Sequence, residues 1–362
     1  MYSQELSNLL LELYRRGEES EPVEEDKADL DEEANGRIKV YYDYLEETIL
    51  NLKVEIPSNV RFAGLDSSIR VLRFPGVDLM VAAGALVGSH IVTVPGSLDA
   101  RNIGVRVRYA ASPEVANLLR RFSDKFYTCS RFIDYVFDGS FSEDVVRDEI
   151  RISIENALLS MWSGDEYLLL DGPVFPLPRL LSSPESKYGR VYLGLVRERV
   201  NIIKSRGLES KIIAVVKRIS RSRYLSSACK LGVTDDHAAL MYVENMLRSS
   251  KYGAAYVGDL VIELDLDGEV YRKYAGYVVI KLGSSTTMFR IEALDRRLLE
   301  DIRDYVASLT VTSGVPIPIM LSDKISKRLC AATYLYLTYA LPLTPTYESL
   351  EALSEVLSYL RE

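Results

Sequence analysis

The amino-acid sequence predicts one large α/β domain with helical extensions at both ends. Between residues 60 and 110, short apolar runs are split by Ser, Gly and Pro, the punctuation of strands and turns. From residue 113, helical patterns are interrupted by two short apolar segments, EYLLLDG (166–172) and KIIAVVK (211–217), as in sheets with packed helices. Leucines recur at helical spacing near both termini. At 362 residues the chain could also hold two average domains.

Residues 2–16 read as an amphipathic helix with Leu6, Leu9, Leu10, Leu13 and Tyr14 on one stripe. An acidic connector follows, then a second helix at 37–53 closed by Pro57. Segments 60–66, 69–74, 78–88, 90–94 and 105–110 read as an antiparallel meander, with Asp66 ending its first strand. Helices are expected at 113–125 and 143–162, then the strand that ends in Asp171. A Pro-rich loop leads to a helix at 190–206 and the strand 211–217. A helix at 236–249, strands near 254–265, 274–281 and 286–292, and helices at 296–308, 323–340 and 346–361 complete the pattern. The implied division is an N-terminal helix (1–17), a connector (18–36), a main domain (37–340) and a C-terminal helix (341–362).

Composition narrows the chemistry. Apolar residues make up 48% of the chain, ample for a core, yet no run reaches the roughly 18 residues of a membrane helix. The charged, leucine-spaced N-terminus does not resemble a signal peptide, so a soluble cytoplasmic protein is expected. Cys129, Cys229 and Cys330 are scattered and the histidines number 2, which argues against a zinc centre. Net charge is −8, but residues 18–33 hold ten acids and one lysine; the remainder carries 43 basic against 42 acidic residues. A nucleic-acid partner is therefore not excluded, because a local basic track suffices. The acidic stretch fits a solvated connector or a segment that shields a groove or docks on a partner. No GxxxxGK[ST] or GxGxxG occurs, so nucleotide-driven motion would come from another protein.

Asp66 and Asp171 each follow an apolar strand, where ligand sites of α/β sheets gather. Asp before Gly or Ser is also ordinary turn chemistry. Glu155, on the 143–162 helix, falls among Ile152, Leu158, Leu159 and Trp162, where a carboxylate needs a cation. That cation is either a metal or Arg151, one turn earlier. Glu149 shares a face with Ser153, Asn156 and Ser160, which reads as a solvent stripe. Two aspartates and a glutamate suit Mg2+ or Mn2+. Lys217, Arg218, Arg221 and Arg223 form a basic turn fit for phosphate, or a solvated loop. Arg101, Arg106 and Arg108 alternate along one strand and could extend a DNA track. Asp235 or Asp236 suits an N-cap, with Asp236 a further candidate ligand; His237 reads as structural.

These blocks together resemble the NurA nuclease family of archaeal DNA-end processing. The resemblance spans roughly 60–330 and rests on FAGLDSS (62–68), IRISIENALLSMW with EYLLLDGP (166–173), AVVKRISRSRYL (214–225), TDDHAAL (234–240), YAGYVVIKLG, TTMFRIE and PIPIMLSDKIS (316–326). It implies an RNase H-like (PIWI-like) mixed sheet flanked by helices and a homodimer. It also implies a DNA nuclease using Mn2+ or Mg2+, with two ions expected, and acting in break resection beside the hexameric HerA translocase. Carried over, Asp66, Glu155 and Asp171 are the catalytic metal ligands, with Lys217 beside them. The pattern departs at Ser67 and Pro173, and Asp323 stands where the family has a histidine; Asp323 can still bind a hard cation. The alternative is an inactive DNA-end clamp for the translocase, and a weaker one is an RNA-directed enzyme.

Overall fold

The computed structural model describes residues 4–18, 38–52, 55–95, 103–108, 112–125, 143–175, 187–220, 222–247, 252–266, 268–310, 313–341 and 343–361. Cys129, Arg101, Arg221, the acidic connector and most of the Pro-rich loop lie outside them.

A mixed sheet of ten strands organises these residues. At its centre β2 (Phe62–Phe74), β6 (Tyr167–Asp171) and β7 (Ile212–Val216) pair in parallel. Leu168, Leu169 and Leu170, like Ile212 through Val215, are buried, as befits strands covered on both faces. Beyond β2 come β3 (Val77–Val87) and β4 (Ile91–Val94), both antiparallel, with β5 (Ile103–Val107) also paired to β3. Beyond β7 come β10 (Ser285–Ala293), β9 (Glu269–Leu282), β8 (Tyr252–Leu266) and β1 (Ile38–Leu50), each antiparallel to its predecessor.

Two sequence expectations are corrected. Residues 38–50 form the edge strand β1 and not a helix. The segment is rich in β-branched and aromatic residues, which favour strands, and β8 offers a long edge for it to pair with. Segments 60–66 and 69–74 fuse into β2, because Ser67 and Ser68 pair with Gly84 and Ala83 of β3 and the ladder runs through them. Asp66 is therefore inside a strand. It sits just past the Leu65–Leu170 pair where β6 stops accompanying β2.

Helices α2 (Pro113–Lys125), α3 (Glu143–Met161), α4 (Lys187–Ser205), α6 (Asp236–Met246), α7 (Arg296–Ser308), α8 (Ile317–Ala340) and α9 (Tyr347–Arg361) lie near their expected places. A short α5 (Tyr224–Ala228) was not expected within the basic segment. Helix α8 begins earlier than expected, its proline seated in the first turn, where no intrahelical donor is lost.

Two glycines let helices approach opposite faces of the β2–β3 ribbon. A Cβ on Gly64 would lie 2.0 Å from the Pro318 carbonyl oxygen of α8. A Cβ on Gly84, which pairs with Ser67, would lie 2.5 Å from Ile154 Cγ2 of α3. Alternation along β2 thus turns Gly64 and Asp66 toward α8, and Leu65 and Ser67 toward α3.

Helix α1 (Gln4–Glu18) places Leu9, Leu10 and Leu13 in the main core cluster. It is part of the folded body, so Leu13→Ala should lower unfolding free energy by about 2–5 kcal/mol. Urea denaturation read by circular dichroism measures this; a change below roughly 1 kcal/mol would show α1 to be peripheral.

Candidate metal centre

Three aspartates meet at the fork where β2 and β6 part. Carboxylate oxygens of Asp66, Asp171 and Asp323 all lie within 4.8 Å of one another. β2 and β6 bring the first two by parallel register, and α8 brings the third through its close approach at Gly64. Ser326, one turn after Asp323, donates to Asp66 Oδ2 at 2.8 Å and orients it. Lys217 Nζ lies 2.7 Å from Asp171 Oδ2, and Lys327 Nζ lies 2.7 Å from Asp323 Oδ2.

The group forms part of a cleft of about 830 Å3. Arg70, Arg147, Arg151, Lys217, Arg218 and Lys327 line it as well, so an acidic spot sits among cations. Helix α9 supplies another wall, where Glu355 accepts from Arg70 at 3.2 Å and the Tyr359 ring stacks on the same guanidinium. Burial, the Asp171 charge and then the Asp323 charge push the Asp66 carboxyl up to about 8, against the Ser326 hydrogen bond and the Arg151 charge. Hard oxygen donors, one deeply buried and all mutually repelling, fit a divalent cation.

Glu155 is not brought into this group. It is buried, and its Oε2 accepts from Arg199 of α4 at 2.7 Å while Oε1 accepts from Ser67 at 2.6 Å. Arg151, the partner weighed from sequence, is farther away at 4.0 Å. The physical reason is strand alternation: Ser67, not Asp66, faces α3. The neighbouring face of α3 is also corrected, since Glu149, Ser153 and Asn156 are buried. Helix α4 packs there, with Arg199 Nε donating to Asn156 Oδ1 at 2.7 Å. No periodicity within α3 reveals a polar interface supplied by a distant helix.

Asp236 is corrected likewise. Fully buried, it accepts from Ser222 Oγ, Tyr277 OH and the backbone N–H groups of Tyr224 and Ser226, leaving it a structural hub. Asp235 takes the capping position and accepts from Ala238 N at 2.9 Å. Arg106 is buried at 3.7 Å from Asp78, and Arg108 reaches Asp78 and the Phe74 carbonyl. Both arginines pair with a buried aspartate, and Arg106 is itself buried. Arg218 and Arg223 are exposed.

Sequence reasoning missed the buried chain that fixes the basic turn. Glu292 binds Lys273 at 2.9 Å, Arg290 at 2.9 Å and the Val174 N–H at 3.1 Å. Arg290 in turn donates to Ser222 Oγ at 2.7 Å. Burial opposes ionisation of Glu292, but Lys273 and then Arg290 hold its carboxyl below the usual range. Arg290 and Glu292 sit in TTMFRIE at strand spacing, a pattern that carries no sign of their partners.

Fold and site together define a mixed α/β protein with an acidic cluster in a cation-lined cleft. Residues 60–328 match the model of the NurA domain, and the chain belongs to the NurA family. It is similar to the crystal structure of the NurA nuclease from Sulfolobus solfataricus, with 12% identity and a TM-score of 0.43 over 83% of this chain and 90% of that one. A crystal structure of NurA with manganese is similar at 11% identity and a TM-score of 0.44, covering 79% and 90%. One of NurA bound to dAMP and manganese gives 11% identity and a TM-score of 0.32, covering 88% and 91%. No match is found among curated proteins.

Two outcomes follow from these contacts. The fold holds the Asp66 proton more tightly than an unfolded chain, whose carboxyl titrates near 3.8. The contribution of this group to stability is thus full below that value, falls as pH rises to about 8 and is level above it. In metal-free protein, thermal melts from pH 5 to 9 should show this decline, and Asp66→Asn should flatten it; an unchanged slope in the variant defeats the assignment. Arg199→Met should cost about 3–5 kcal/mol by stranding Glu155, and adding Glu155→Leu should recover most of that loss in urea denaturation.

Proposed function

We propose that this chain is a divalent-metal-dependent nuclease that hydrolyses phosphodiester bonds in DNA. The meeting of Asp66, Asp171 and Asp323 from three elements, inside a cleft lined by cations, carries the reading. These aspartates would hold Mn2+ or Mg2+, which when bound polarises a phosphoryl oxygen and lowers the pKa of a coordinated water. Ser326 keeps Asp66 aimed at the shared centre. Lys217 and Lys327 each cover a ligand oxygen and, being long and flexible, can turn to a phosphate. Arg151 and Arg218 add charge where a phosphodiester would lie. Glu155 acts through Ser67, bracing β2 beside Asp66, and is a positioning residue.

The order β4–β3–β2–β6–β7, antiparallel up to β2 and parallel beyond it, supports an RNase H-like core. Family membership supports the finer reading: resection of DNA ends as a homodimer, with a HerA-type hexameric translocase supplying movement. The clamp alternative drew its motive from aspartate in place of histidine at 323 and from the altered turns at Ser67 and Pro173. That Asp323 joins the two strand aspartates supports the nuclease reading over it.

Asp66→Asn, Asp171→Asn and Asp323→Asn should each lower Mn2+-dependent cleavage of linear DNA by about a hundredfold or more, beyond the roughly 10–100-fold cost of losing an outer support. Glu155→Gln should fall within that smaller range. Full activity of Asp323→Asn, or Mn2+ binding by calorimetry unchanged in all three aspartate variants, would defeat the assignment. The same titration counts the ions, and RNA and hybrid substrates in the same assay separate the RNA-directed alternative.

A further inference from the structure

A second cleft of about 480 Å3 adjoins the first, and Lys217 and Arg218 line both. Its volume falls in the roughly 300–1,000 Å3 span of pockets that take small organic ligands. Next to these two cations its walls carry the hydroxyls of Ser220 and Thr286, the His237 imidazole and the Met241 thioether. Arg218, Ser220, His237 and Met241 are exposed, whereas Ile219 beneath the turn is buried. Arg218 makes no ion pair with any described residue, and Glu244 is the single acid in the lining.

The walls are held by the buried chain described above. Asp236 N donates to the Ser222 carbonyl at 2.7 Å and its carboxylate accepts from Ser222 and Tyr224, so the start of α6 is tied to the segment that follows the basic turn.

We infer that this second cleft is a subsite for the nucleotide flanking the scissile phosphate of an unpaired DNA strand. The inference rests on the metal-site reading for its direction, since the scissile phosphate is taken to lie at the three aspartates. Arg218, between the clefts, suits the next phosphate in bidentate fashion. Hydroxyls and imidazole offer hydrogen bonds to sugar and base edges, and a thioether packs well on an aromatic ring. A phosphate alone would use none of the apolar wall. A base can reach that wall only when it is splayed from its partner, as single-strand sites require.

The test measures equilibrium binding of a fluorescein-labelled oligothymidylate to the full chain by anisotropy. His237→Glu and Met241→Glu place a carboxylate in the cleft on exposed positions, where folding is little disturbed. Each should weaken binding by about fivefold or more, the scale of losing roughly 1 kcal/mol of base contact. Ile91→Glu, equally exposed but on β4 at the far edge of the sheet, should leave binding unchanged. Unweakened binding in both cleft variants, or equal weakening by Ile91→Glu, overturns the subsite. Cleavage by the wild-type chain with Mn2+ is scored apart. Weakened binding without any wild-type cleavage keeps the subsite and removes the metal-site reading, whereas cleavage with unweakened variants does the reverse.

Discussion

Mutual repulsion among three carboxylates is the constraint around which the rest of this molecule is arranged. Oxygens within 4.8 Å of one another repel, when all are ionised, by on the order of 4 kcal/mol per pair at an effective dielectric near 20. Nothing local to any of the three aspartates brings them together. Parallel pairing of β2 with β6 sets two of them side by side, and α8 can deliver the third only because Gly64 has no side chain. The fold holds this arrangement against its own electrostatics through burial elsewhere, and the Asp66 carboxyl is raised first by its own burial and then by the Asp171 charge. A cluster of this kind is what a bound cation would relieve, the usual trade between stability and function.

Charges outside the centre are treated in the opposite way. Glu155, Asp78, Glu292 and Asp236 are all buried, and each is surrounded by donors from several elements. Networks of this kind contribute little net stability, because desolvation offsets much of the attraction. They do define register: Glu292 ties the segment after Asp171 to β9 and β10, and Arg290 passes that restraint to the basic turn. Lys217 can therefore meet Asp171 at a fixed place although the residues flanking it are irregular. Asp66, Asp171 and Asp323 crowd one another at a cleft, whereas Glu155, Glu292 and Asp236 are each buried among donors, and that contrast separates one class from the other.

Much of the fold was legible because most elements are periodic and bounded by clear breaks, as in α7 with its Asp295 cap or the leucine strand β6. β1 was not, since its residues read as a helix, and pairing with the long edge of β8 together with its β-branched and aromatic content decides in favour of a strand. Asp66 and Asp171 were legible from their apolar approach. Glu155 was misleading for a specific reason: its apolar neighbours demanded a cation, and the cation proved to be Arg199, a residue with no sequence link to it. Likewise, the buried face at Glu149 and Asn156 looks like solvent to any rule that knows one helix at a time. Pairing across elements is the information that a single sequence withholds.

Asp323 shows how that missing information changes chemistry. In sequence it is a departure from the family pattern, and a departure at a ligand position argues for lost activity. In the fold it stands one turn before Ser326, which binds Asp66, so α8 delivers both a third carboxylate and the hydroxyl that aims the first. A histidine at 323 would offer a nitrogen and no negative charge; aspartate makes the cluster wholly oxygen and adds a negative charge that Lys327 partly offsets. Asp323 therefore adds to the charge that disfavours ionisation of Asp66 in the metal-free protein.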